Sequence, residues 1–337
     1  MTTEEKIKKF REEFNIYFER EIKKILKEQR DFSPTTTDLD IPLTDIILSY
    51  TQGGKRIRPF LIFLFGNAEL TKDAMMRICL ASELFHLAAI IHDDIMDDSD
   101  LRRGVPTIHI AVQKFAKENK TLGNDIALLL GDVFLTSAMA KAATLPQQIF
   151  KEFTQMIQRT IRGQYLDSFG MNLPLGTVSK ETLQARHELK TAWYTFTSPA
   201  VFGWMLAGDA SDESLKVISS IMSELGLLFQ IRDDIIDCID ESSGKPLYGD
   251  ISENQTTWVT LYIKDHYPEK FSSLINLSKR KRDSKDEIAR IFEDIDLIAP
   301  YKKEFQKREI LVDAIDIKYA GIKDKAHQVL SLLSLKE

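Results

Sequence analysis

The chain has 337 residues, 43% apolar and 28% charged, with only 15 Gly and 10 Pro. That is long enough for one large domain or two ordinary ones, and it excludes a disordered or collagenous chain. A net charge of -6, from 45 basic and 51 acidic side chains, argues against a nucleic-acid partner. An anionic ligand would need a local basic cluster or a metal.

From the N-terminus, Ile7, Phe10, Phe14, Phe18, Ile22 and Ile25 recur at spacings of three and four, which predicts an amphipathic helix over residues 3–29. The opening MTTEEKIKKFREEF has acid from Glu4 onward and no apolar core, so no signal peptide is expected. DFSPTTTDLDIP (31–42) breaks the helix with prolines and turn formers. Further breaks are expected at 67–71, 117–125, 170–179 and 207–213. Between them, apolar periodicity predicts helices over 74–96, 126–144, 146–169, 180–206 and 215–240, with more helix in the tail from 265. No stretch alternates with period two. The longest unbroken apolar run, Phe60 to Phe65, is far below the roughly 20 residues of a membrane span, so no transmembrane segment is expected. Cys79 and Cys238 form neither a disulfide framework nor a zinc spacing and read as buried, reduced thiols of a cytoplasmic protein. The expectation is an all-α, single-domain bundle of about ten or more helices around a central cavity.

Two stretches stand out. In IIHDDIMDDSDLRRG (90–104), Ile91, Asp93, Asp94, Ile95, Asp97 and Asp100 align with Ile231, Asp233, Asp234, Ile235, Asp237 and Asp240 of FQIRDDIIDCIDESSGK (229–245). At roughly 6% Asp, one D-D-x-x-D arises by chance in about one such chain in fifteen, so a single copy would mean little. Two copies, each ending an apolar helix, are harder to dismiss. Carboxylates three and four apart share a helix face and repel each other, a cost that a bound cation would offset. Oxygen ligands without His or Cys suit Mg²⁺, which keeps several waters and binds through a few carboxylates plus substrate phosphates. Neither loop has the Gly and Glu of an EF-hand.

Basic residues accompany the clusters. Arg102 and Arg103 follow the first, Lys245 follows the second, and Lys190 precedes Thr191 on another predicted helix. GGKRIRP (53–59) places Lys55, Arg56 and Arg58 at the opening of a helix, with two glycines for close backbone approach and Pro59 in the first turn. Such a turn can hold a diphosphate without metal, although a solvated basic turn is the commoner meaning. His86 lies two turns before Asp93 on the same helix face, where a lone histidine is more often simply core.

GGKRIRP, HDDIMDDSDLRRG, GDVFL, KT, FQIRDDIID and GKPLYGD occur in the order and at about the intervals of the trans-isoprenyl diphosphate synthases. The chain resembles that family over roughly residues 40–265. The resemblance implies the all-α isoprenoid-synthase fold and a head-to-tail condensation of isopentenyl diphosphate with an allylic diphosphate. The resemblance further implies that the allylic substrate binds between the aspartate motifs through about three Mg²⁺. Asp93, Asp94, Asp97, Asp233 and Asp237 would face metal, with Asp234 reaching it through water. Arg102, Lys190 and Lys245 would hold the same diphosphate, and Lys55, Arg58, His86 and Arg103 that of isopentenyl diphosphate. Thr191 and Gln230 would shield the allylic cation, and the departing diphosphate would take the proton, so no side-chain base is needed. A homodimer is a further implication of the resemblance.

One position departs from the family pattern. A further lysine often follows the second motif, and Gln255 aligns with it here. Class I terpene cyclases share the first motif and the fold, but not a second D-D-x-x-D or the basic turn. A non-catalytic partner subunit would have lost carboxylates, and none is lost. Product length turns on the helix face leading back from Asp93, where one turn of about 5.4 Å is close to one isoprene unit. Short-chain members carry an aromatic residue where this chain has Ala88 or Ala89. A product of about twenty carbons or more is therefore expected, with Phe85 as the candidate floor and a farnesyl diphosphate synthase as the alternative. Thr136 and Met139 on a facing helix could overrule Phe85.

Overall fold

The computed structural model describes residues 3–31, 42–66, 68–240, 247–252, 255–278 and 285–335. The fold is all-α, and it divides into two compact units: Met1–Thr154 with Phe202–Gly208, and Gln155–Val201 with Asp209–Glu337.

In the first unit the N-terminal apolar stripe forms α1 (Thr3–Asp31) and buries Phe10, Phe14, Phe18, Ile22 and Ile25. Phe14 stacks on both Phe10 and Phe18. The chain continues through α2 (Leu43–Thr51), α3 (Ile57–Phe65), α4 (Ala68–Met96), α5 (Ile108–Phe115) and α6 (Lys120–Ala142). Helix α4 packs against α3 and α6. Two of the expected breaks are narrower than their composition predicts. Helix α4 starts at Ala68, so the 67–71 break is reduced. Asn119 caps α6 by accepting from the Leu122 N–H at 3.1 Å, which draws the polar residues 120–125 into the helix. On α6, Thr136 and Met139 are exposed while Phe134 and Ala138 are buried.

One short antiparallel ribbon joins α4 to α5, where no strand was expected. β1 (Leu101–Arg102) pairs with β2 (Val105–Pro106), with Arg102 opposite Val105. Positive φ at both Arg103 (53°) and Gly104 (78°) lets the chain reverse in two residues, the hand of turn that suits a twisted hairpin. Two-residue strands are too short to leave a period-two signal.

The second unit holds most of α7 (Gln147–Met171), then α8 (Lys180–His187), a π-helix at Glu188–Thr197 and the start of α9 (Ser198–Leu206). Helix α10 (Asp212–Ile239) is its longest. It is followed by α11 (Gly249–Ser252), α12 (Trp258–His266), α13 (Pro268–Ser278), α14 (Lys285–Phe292), α15 (Ile298–Asp313) and α16 (Ala320–Ser331). Residues 180–206 are thus not one regular helix. The π-helix is pressed between Gly163 of α7 and Gly226 of α10. A Cβ at Gly163 would collide with the Leu189–Lys190 backbone, and one at Gly226 with Ala192.

Three helical stretches, Lys72–Met96, Lys120–Ala142 and Asp212–Ile239, are long and apolar enough to cross a membrane by length and composition. A search for unbroken apolar runs misses them because scattered charges interrupt each one. In the first, 72% of the apolar window is buried inside the protein.

Candidate active site

The first aspartate motif closes α4. Asp93 and Asp97 lie one turn apart and are partly exposed. Asp94 differs from both, being 1% exposed. Its Oδ1 accepts from Arg102 Nε at 2.9 Å and Nη2 at 2.6 Å. Its Oδ2 accepts from the Tyr50 hydroxyl at 2.5 Å and from Arg102 Nε at 3.1 Å. Three donors, two from Arg102 and one from Tyr50, thus engage both carboxylate oxygens. Asp94 therefore does not share the partly exposed face of Asp93 and Asp97 on which the sequence reading placed it. Burial lowers the Arg102 pKa, but the hydrogen bonds and charge of Asp94 more than offset this, and the guanidinium stays above its ordinary range.

The basic turn separates its three cations. Gly53 takes a positive φ of 71°. Arg56 caps α3 in the left-handed region, is buried, and does not point to solvent. Its Nη1 donates to Glu83 at 2.6 Å, Nε to Asn15 at 2.8 Å and Nη2 to the Thr51 carbonyl at 2.8 Å, and the group lies 4.6 Å from the Phe18 ring centre. Lys55 is exposed and Arg58 partly so. Arg103 is exposed on the hairpin turn. Desolvation, reinforced by Arg58, Arg103 and Arg102, holds His86 well below the ordinary imidazole range, so its ring is neutral.

Behind Asp93 along α4, Ala88 is buried and Ala89 partly so. Phe85, 4% exposed, meets Phe153 edge-on with ring centres 6.4 Å apart, and Phe153 lies 6.1 Å from Phe202.

The second motif closes α10 and repeats the pattern. Asp233 is exposed and Asp237 partly so, while Asp234 is 3% exposed. Gln230 Nε2 donates to Asp234 Oδ1 at 2.8 Å, and the Trp258 N–H donates to Oδ2 at 2.8 Å. Burial pushes the Asp234 carboxyl up to about 7 despite these bonds. The Gln230 amide nitrogen is thus turned toward Asp234, which leaves its oxygen free to face elsewhere. Thr191 and Lys190 ride on the π-helix, a geometry often found at functional sites. Lys190 Nζ is bonded to the buried carboxylate of Asp167. Asp167 also pairs with Arg186 at 3.3 Å, and Arg186 Nη2 donates to the Thr256 carbonyl at 2.6 Å. Sequence reasoning missed Tyr50, Asp167 and Arg186, whose partners lie 44, 23 and 70 residues away. Lys245 lies outside the described residues. Gln255 is partly buried and begins the short segment that supplies Thr256 and Trp258.

Among the described residues no three His, Cys, Asp or Glu side chains converge into a ready-made metal site. Paired carboxylates one turn apart on each helix nevertheless fit Mg²⁺, which takes one or two protein oxygens and completes its shell with water and phosphate.

The sequence model described as Polyprenyl synthetase matches residues 42–295. The farnesyl diphosphate synthase of Bacillus subtilis is 29% identical over 278 residues, 77% of this chain and 88% of that protein. The large subunit 1 of the chloroplastic heterodimeric geranylgeranyl pyrophosphate synthase of Arabidopsis thaliana is 31% identical over 272 residues, 75% of this chain and 67% of that one. A Corynebacterium glutamicum geranylgeranyl pyrophosphate synthase, solved with isoprenyl diphosphate and magnesium, superposes with a TM-score of 0.77 at 21% identity, covering 96% of this chain and 99% of that one. A T. brucei farnesyl diphosphate synthase does so at 0.79 and 19%, covering 96% and 99%. These two likenesses show the fold, while the family match, which spans most of the sequence, carries the identification: the chain belongs to the polyprenyl synthetase family of trans-prenyl diphosphate synthases and is a prenyltransferase.

Proposed function

We propose that the protein condenses isopentenyl diphosphate with an allylic diphosphate, in a Mg²⁺-dependent head-to-tail reaction, to give a trans-prenyl diphosphate of about twenty carbons or more, judged by the small side chains of Ala88 and Ala89 one turn behind Asp93. The observation that carries the reading is the arrangement common to both motifs. In each, the second aspartate is buried and hydrogen-bonded, and the first and third are left toward solvent one turn apart. Asp93 and Asp97, with Asp233 and Asp237, are thus the carboxylates suited to metal.

Bound Mg²⁺ would supply Lewis-acid stabilisation of the leaving diphosphate. Arg102 and Lys190 would hold that diphosphate as it leaves, each pre-oriented by a buried carboxylate, Asp94 or Asp167. Lys55, Arg58 and Arg103 would take the diphosphate of isopentenyl diphosphate, with neutral His86 as a hydrogen-bonding partner. The Thr191 hydroxyl and Gln230 carbonyl oxygens would face the allylic carbon as positive charge develops. The isopentenyl double bond forms the new carbon–carbon bond, and the departing diphosphate accepts the proton lost from the adjacent carbon. The small, buried Ala88 supports a tunnel that continues past the first turn of α4. Exposed Leu128, Leu129 and Met139 on α6 offer the kind of surface that a second copy would cover in a homodimer.

Incubation with radiolabelled isopentenyl diphosphate, farnesyl diphosphate and Mg²⁺, followed by dephosphorylation and chromatography, tests the proposal. A longer, acid-labile prenyl diphosphate that vanishes with chelator is expected. A hydrocarbon made from farnesyl diphosphate alone, or no product, would overturn it.

A further inference from the structure

The Tyr50 hydroxyl, at the end of α2, is 2.5 Å from Asp94 Oδ2, and both residues are 1% exposed. Burial and the Asp94 carboxylate raise the phenol well above its ordinary range, so it remains a proton donor. The same carboxylate grips Arg102 through two nitrogens. Arg102 sits on a two-residue strand of a hairpin. An arginine carries rotamer entropy worth about 2 kcal/mol, which a fixed bidentate partner can remove before a ligand arrives. A carboxylate can do this only if it is itself fixed, and among the described residues Tyr50 is the neutral side chain bonded to Asp94. In the second motif Gln230 and the Trp258 N–H hold Asp234 in the same way.

We propose that Tyr50 is a positioning residue: by fixing Asp94 it aims the Arg102 guanidinium at the diphosphate of the allylic substrate. The inference rests on the reading of Arg102 as a ligand of that diphosphate.

Calorimetric titration with farnesyl diphosphate and Mg²⁺, without isopentenyl diphosphate, is the test, run on wild type, Tyr50→Phe, Arg102→Ala and the double variant. Tyr50→Phe keeps the buried ring; Arg102→Ala leaves the buried Asp94 carboxylate without its cation, so melting curves first establish that each variant is folded, and Arg102→Gln takes its place if it is not. Tyr50→Phe is expected to weaken binding by about tenfold or more, the effect of one lost hydrogen bond to a charged group. It should raise the KM for the allylic substrate while leaving that for isopentenyl diphosphate within about twofold of wild type. In the Arg102→Ala background it should add nothing beyond about twofold, because the group it positions is gone. An equal effect in both backgrounds, an equal shift in both KM values, or no effect would overturn the inference. If Arg102→Ala itself bound farnesyl diphosphate like wild type, the reading of Arg102 would fall first and the inference with it.

Discussion

Arg56 is bonded to Glu83 at 2.6 Å, with 8% and 3% of the two side chains exposed. The middle cation of GGKRIRP therefore serves the fold, tying the turn to α4 and, through Asn15, to α1. Breaking a buried pair from one side leaves the other charge uncompensated, at a cost of about 3–5 kcal/mol. Arg56→Ala should lower stability by that order in denaturant melts. Lys55→Ala, at an exposed position, should stay within about 0.5 kcal/mol of wild type while raising the KM for isopentenyl diphosphate. Equal stability of the two variants would contradict this division of roles.

The motif aspartates should separate in the same way. From the sequence, removing any one of these mutually repelling carboxylates should leave stability intact or raise it. The structure limits that expectation to the partly exposed members. Asp97→Ala should cut turnover by several orders of magnitude with stability unchanged or slightly raised. Asp94→Ala strands Tyr50 and Arg102 and should cost about 1.5–3 kcal/mol as well as activity. Melting curves of the two variants side by side check this, and an Asp94→Ala protein as stable as Asp97→Ala would refute it.

His187 gives a pH signature. Burial, then Arg186 and Lys190, hold its ring well below the ordinary 6.5, so the folded protein refuses a proton that the unfolded chain accepts. Stability therefore falls as pH drops below 6.5, by about 1.4 kcal/mol per pH unit for one proton. Asp234 runs the other way: raised from 3.8 to about 7, it costs stability as pH rises through that span. Comparing wild type with His187→Gln cancels the Asp234 contribution. Between pH 7.5 and 5.5 the variant should lose about 1.4 kcal/mol less than wild type. Parallel curves would mean that His187 protonates freely in the folded state.

What could be read in the sequence follows from which signals are local. The stripe from Phe10 to Ile25 and the helices ending in the two motifs are short-range, and they appear as expected, while the breaks at 67–71 and 117–125 come out narrower. The π-helix is not local. It depends on Gly163 and Gly226 allowing two neighbours to close on residues 189–192, and nothing within 188–197 announces it. Likewise, D-D-x-x-D spacing shows three acids near one helix face but not which one turns inward. That is decided by Tyr50 and Arg102 in one motif and by Gln230 and Trp258 in the other.

Gln255 lies one residue before the carbonyl that holds Arg186 and three before the N–H that holds Asp234. A lysine there would add a cation close to the second motif. Gln255→Lys should lower the KM for the allylic diphosphate more than that for isopentenyl diphosphate, because a charge-assisted contact reaches one substrate only. Equal changes, or none, in steady-state kinetics would remove position 255 from the allylic site.

Product length is the property most open to single substitutions. The side chains one turn behind Asp93 are Ala88 and Ala89, too small to block a prenyl tail that runs along this face in the proposed reaction. Phe85 follows one turn deeper, about 5.4 Å further along α4. Its ring is backed by Phe153, and Phe153 by Phe202, so this floor is stiffer than a lone phenylalanine would be. Thr136 and Met139 are exposed on α6. Ala88→Phe should move the floor up and shorten the product by about one isoprene unit, the length of one helical turn. Phe85→Ala should lengthen the product by at least that much, at a stability cost of about 3–5 kcal/mol for the cavity opened against Phe153. Chromatography of the dephosphorylated products reads both shifts. A wild-type enzyme that stops at farnesyl diphosphate, with the same product from both variants, would place the wall away from α4.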